Sequence, residues 1–197
     1  MAFVSNVLYW LSTGLMIPVT IFLLFFLFRA LMMVGGFYGL YLSRAKVNKR
    51  LNEQFNQRSY EEVLSTLDAF GSHKSSVLEA LKQVQQHQKN PILLDKFLGD
   101  YEIRLDEEIA QSRMLAKIGP MLGLMGTLIP MGPALVGLAT GDVASMANNM
   151  QVAFATTVVG IVIGAIGFIT LQLRQRWVAD DLNILEYVID SIKEGNA

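Results

Sequence analysis

The sequence predicts an all-α integral membrane protein with three transmembrane helices, N-terminus outside and C-terminus inside, whose long helices extend into a cytoplasmic helical domain. Three observations carry this. Of 197 residues, 52% are hydrophobic and only 17% charged, with a mean hydropathy of +0.39, well to the apolar side of a soluble domain. Three apolar runs are each long enough for a spanning helix, which needs about 20 residues to cross roughly 30 Å of hydrocarbon. Between the first and second lies a polar stretch whose apolar residues recur at helical spacing.

The first run, residues 7–28, is read as transmembrane helix one, with 29–42 as its inner extension. Met1 to Leu15 has neither Lys nor Arg, and no small-residue cleavage pattern closes the run, so this segment is expected to remain in the mature protein. Arg29 interrupts it and is expected to snorkel to the headgroups; the sharper alternative is contact with an acidic group on a neighbouring chain. Residues 43–117 form the cytoplasmic helical domain. In it Val63, Leu64, Leu67 and Phe70, then Val77, Leu78, Leu81 and Val84, mark amphipathic helices, and Asn90–Pro91 marks a break. Tyr101 to Met114 reads as a further helix that enters the second apolar run without a loop signal.

Residues 118–138 are transmembrane helix two, 139–149 a short outer loop, 150–173 transmembrane helix three, and 174–197 a cytoplasmic C-terminal helix whose Leu182, Leu185, Ile189 and Ile192 make it amphipathic. Arg44, Lys46, Lys49 and Arg50 follow helix one and Arg174 and Arg176 follow helix three, while the loop after helix two has no basic residue. That asymmetry sets the orientation. Tyr9 and Trp10 at one end, and Trp177 at the other, suit interfacial anchoring.

The formal net charge of −1 offers no basic field for nucleic acid. Cys is absent, which removes disulfides and thiol chemistry, and His73 and His87 fall on polar segments where a solvated surface is expected. Ser, His and acidic residues form no nucleophile or metal pattern, so no catalytic residue, metal or cofactor is assigned and no enzyme is expected.

The two inner spans carry the chemistry. Pro120, Gly123, Thr127, Pro130 and Ala134 stack on one face of helix two, and Ala153, Thr157, Gly160, Gly164 and Gly167 on one face of helix three. Small faces let helix backbones approach closely in lipid, and packing alone would explain the glycines. Thr127 and Thr157 could simply bond their own backbone one turn back, or could line a pathway. Neither span contains Asp, Glu, His, Lys or Arg. A hydroxyl can orient or bridge a proton, but intramembrane proton relays are normally built on carboxylates or histidines. Either the chain conducts nothing or a second subunit supplies the titrating group.

The stretches GPMLGLMGTLIPMG at 119–132 and AFATTVVGIVIG at 153–164 resemble the motifs of the MotA/TolQ/ExbB proton channel family, most closely its ExbB and TolQ branch. The MotA branch has a fourth span that this chain lacks. The resemblance matches Pro120, Gly123, Gly126 and Thr127 in helix two and Thr157 with Gly160 in helix three, with Thr156 as an adjacent hydroxyl and Gly164 on the same packing face. It implies a homo-oligomer, a pentamer, in a bacterial inner membrane. That ring would surround the single-span helices of an ExbD/TolR-like partner whose buried aspartate exchanges protons, with Thr127, Thr157 and Thr156 lining the conduit. Such a complex would use the proton-motive force for transport or envelope work. One departure stands out: the family's glutamate about five residues before the helix-three Thr is replaced by Val152, beside Gln151 and Met150. The alternative class is a non-conducting oligomeric membrane scaffold that presents the cytoplasmic helical domain.

Overall fold

The computed structural model describes residues 2–57, 76–88 and 90–195. The amphipathic set Val63, Leu64, Leu67 and Phe70, together with His73, lies outside the described residues. Among those described there are four helices: α1 (Ala2–Gln57), α2 (Ser76–Gln86), α3 (Pro91–Ala139) and α4 (Val143–Gly195). Three helices contain windows long and apolar enough to cross a membrane, with a mean hydropathy of 2.4 in Thr13–Phe37, 1.6 in α3 and 2.4 in α4. The all-helical fold with three spans is as the sequence predicts.

Asn90 and Pro91 form the break expected there. The Asn90 side-chain oxygen accepts from the Leu93 amide at 3.3 Å, and its carbonyl accepts from Leu94 at 3.2 Å. Asn90 thus caps α3, and Pro91 occupies the first helical position, where its missing N–H costs nothing. From there α3 runs without interruption through the polar stretch into the apolar one, over 49 residues.

The loop read at 139–149 is only Thr140–Asp142. Gly141, at φ +78°, ends α3. The Asp142 amide donates to the Gly137 carbonyl at 2.8 Å and the Gly141 amide to Leu138 at 3.2 Å, the paired bonds of a Schellman close. Asp142 then caps α4, its carboxylate accepting from the Ser145 amide at 3.0 Å. Ser145 and Asn149 looked like loop residues, but they sit in the opening turns of α4, where the Asn149 amide donates to the Ser145 carbonyl at 2.9 Å. At its far end α4 continues past residue 173 to Gly195 as one helix of 53 residues.

The chain divides into two compact units, residues 1–35 with 111–171 and residues 36–110 with 172–197. In the first, Leu23 and Ala30 of α1 are buried against Leu115 of α3 and Ile163 of α4, with Phe26, Leu27, Leu122, Val159 and Ile166 around them. Met33 ties the same three helices by polar contacts, its sulfur accepting from Ser112 at 3.6 Å and Thr170 at 3.5 Å. Ile21, Phe25 and Phe28 on α1, Leu124 and Leu128 on α3, and Phe154 and Val158 on α4 are exposed, as a bilayer or a further subunit requires.

The second unit has an apolar core of the ordinary kind. Val77, Leu78, Leu81 and Val84 of α2, Leu94, Tyr101 and Leu105 of α3, and Leu185, Val188, Ile189 and Ile192 of α4 are all buried together. Arg174 donates to the Glu108 carbonyl at 2.8 Å, Lys193 pairs with Asp95, and Phe37 stacks on Trp177 with centroids 5.1 Å apart. His87 is exposed and its ring Nδ1 contacts the Gln83 carbonyl one turn back.

Candidate functional site

The tight turn at Thr140–Asp142 folds the apolar halves of α3 and α4 into an antiparallel hairpin, and glycine sets how closely they lie. A Cβ placed on Gly160 would fall 2.5 Å from the Cα of Gly123, one on Gly164 2.6 Å from Cγ of Pro120, and one on Gly126 2.6 Å from both Cβ and Oγ1 of Thr156. No side chain fits at such separations. The missing Cβ atoms are therefore what permits backbone contact, the packing mode available where lipid removes the hydrophobic drive between helices. All five residues read from the sequence as a packing face, Pro120, Gly123, Gly126, Gly160 and Gly164, meet across this seam.

The three threonines occupy different places. Thr156 is 7% exposed, wedged against Gly126 inside the seam. Thr127 and Thr157 are half-buried. Each hydroxyl donates to its own helix: Thr127 to Leu124 at 2.7 Å, Thr157 to Ala153 at 3.1 Å, and Thr156 to Val152 and Ala153, both at 3.0 Å. Their protons are satisfied by backbone carbonyls, which leaves oxygen lone pairs as the groups free to receive a bond.

Sequence reasoning took Pro130 as part of a face and missed its second effect. Pro130 and Pro133 lie inside α3. They lack the N–H groups that the carbonyls of Gly126 and Ile129 would otherwise accept. Those acceptors flank Thr127, in a segment with no ionisable side chain. Prolines within a span are the signal that would have found them, since such helices re-satisfy freed carbonyls with neighbours or water. Val152 is half-buried one turn before Thr156. Among the described residues, no three His, Cys, Asp or Glu side chains gather to hold a metal.

A glycine-seamed hairpin of two spans without a titrating group, continuous with long polar helices, is what the sequence of the MotA/TolQ/ExbB proton channel family matches here, over residues 46–186. The chain belongs to that family. The match takes in α3 entire and α4 as far as Glu186. No curated protein matches the sequence. As a MotA/TolQ/ExbB protein, the chain is a multi-pass membrane protein of a family of proton channels. Its hairpin is closely packed through glycine and has no carboxylate in either span.

Proposed function

We propose that this chain is the channel subunit of an ExbB/TolQ-like motor, a homo-oligomer, most simply a pentamer, in a bacterial inner membrane with its N-terminus outside. Its hairpins would surround a single-span partner that carries an intramembrane aspartate. The observation that carries this reading is the pairing of membership in a proton channel family with two inner spans that hold no ionisable side chain. A proton cannot be relayed across apolar spans without a group that binds and releases it. Thr127, Thr157 and the proline-freed carbonyls offer only acceptors, which can orient water or a partner's protonated carboxyl beside the conduit. Thr156, locked in the seam, holds the hairpin's shape in this mechanism.

Each proton falling through 100 mV would release about 2.3 kcal/mol. A few protons thus suffice for a mechanical step in the partner, which would direct the work to transport or to the cell envelope. The long helices of the polar unit would brace the ring.

Proton uptake by vesicles containing the intact complex tests the assignment. Thr157→Val is expected to lower flux about tenfold, the effect of losing roughly 1.4 kcal/mol of hydrogen bonding to a charged or protonating group. Thr157→Ser is expected to keep most of it, and Thr156→Val to keep flux while altering stability. Full flux in Thr157→Val removes Thr157 from the pathway. Zero flux in the wild-type complex favours a non-conducting scaffold.

A further inference from the structure

We propose that the polar unit binds the next copy of this chain through two different stripes, the outward face of α3 on one copy meeting the outward face of α4 on its neighbour. The inference rests on the homo-oligomer of the proposed function and names the surface that closes it. Leu94, Tyr101 and Leu105 of α3 and Leu185, Val188, Ile189 and Ile192 of α4 are buried in the core between these helices, so the far sides of the two helices look out on opposite sides of the unit. On α3 the far side is Ile92, Lys96, Gly99, Ile103, Glu107 and Ala110, at the three- and four-residue steps of one helical stripe. Ile92 is 81% and Ile103 64% exposed, and nothing lies within 4 Å of where a Gly99 Cβ would be. On α4 the far side is Arg176, Asp180, Asn183, Tyr187, Asp190 and Glu194, all exposed.

Single exposed apolar residues are ordinary; the order of the charges is what selects the occupant. The bond from Arg174 to the Glu108 carbonyl and the pair of Lys193 with Asp95 fix the antiparallel register of the two helices within one copy. By that register Glu107 lies level with Arg176, Arg104 with Asp180, Gly99 with the interval between Asn183 and Tyr187, and Lys96 with Asp190, each within about one turn. In a ring whose axis is the membrane normal every copy sits at the same height, so these levels carry over to the contact between neighbours.

Acid then meets base three times along the contact. Asp100 falls opposite the uncharged Asn183, and Asp190 also lies 4.0 Å from Lys193 of its own helix. Between the charged pairs the open notch at Gly99 comes to the ring of Tyr187, an amphipathic side chain of the kind that anchors interfaces. Complementary charge of this kind sets register and excludes wrong pairings more than it adds affinity. Two unlike patches on one chain make a heterologous contact, the type that closes into a ring.

The chain has no cysteine, so disulfide trapping of the full chain in its membrane tests the contact. Gly99→Cys combined with Tyr187→Cys, or with Asn183→Cys, is expected to give a ladder of covalently linked copies on mild oxidation. Gly99→Cys with Glu194→Cys, which lies about 10 Å further along α4, is expected to give far less. Glu107→Arg added to the linking pair should lower the ladder about fivefold, and Arg176→Glu in the same chain should restore it. Equal ladders from the near and far pairs, dimers from Gly99→Cys alone, or links to a different protein overturn the proposal. The mass of the same preparation separates the two claims: an oligomer without the ladder removes this surface and leaves the proposed assembly standing, whereas a monomer removes both. If the cysteine pairs do not fold, the charge swap carries the test, read as the oligomer fraction by native mass spectrometry, and a double swap that restores nothing overturns the contact.

Discussion

Gly126 and Thr156 show what a single methyl group decides in this molecule. With Thr156 Cβ 2.6 Å from where a Gly126 Cβ would be, Gly126→Ala must push the helices apart or twist Thr156. The expected loss is about 1–3 kcal/mol, the usual effect of overpacking a close seam. Thermal unfolding of the detergent-solubilised complex measures it, and Thr156→Gly in the same background, which removes both the Cβ and the hydroxyl, should recover part of the loss, since the two residues touch. Unchanged stability in Gly126→Ala would mean that the seam is looser than described. The small faces of α3 and α4 were legible in the sequence because three- and four-residue spacing stacks side chains on a helix. Which of Thr156 and Thr157 faces inward was not legible. Neighbouring residues differ by about 100° around the axis, and spacing does not say which stripe meets the other helix.

Helix ends were legible only where their chemistry is local. Asn90–Pro91 was legible as a break, and α3 begins there with Asn90 as its cap and Pro91 in its first turn. At 139–149, the polar residues suggested a loop, yet Gly141 and Asp142 close one helix and open the next within three residues. Ser145 and Asn149 satisfy their polarity inside α4 instead. Asp142→Ala is accordingly expected to lower stability by about 1 kcal/mol through loss of the cap. Hydrogen exchange at the Ser145 and Met146 amides should quicken, while amides in the middle of α4 stay protected. In the polar unit, Leu81 and Leu185 are completely buried. Leu81→Ala should remove about 2–5 kcal/mol, read from the melting of the whole complex. The α2 stripe was readable as amphipathic. That it packs on both α3 and α4 was not, because contacts between residues distant in sequence leave no local periodicity.

For the whole molecule, family membership and three apolar spans fit a subunit of a membrane channel, and in the proposed function the two inner spans, which hold no carboxylate, leave the titrating group to a second chain. On that same proposal, Val152, at the position where the resemblance leads one to expect a glutamate, adds to the need for a second chain. The most direct measurement is the mass and composition of the complex purified through a tag on this chain from its native membrane in nanodiscs. Several copies of the chain, five on the family's pattern, with fewer copies of a single-span protein bearing an intramembrane Asp, is the result the proton-motor reading predicts. A homo-oligomer with no acidic single-span companion would contradict it.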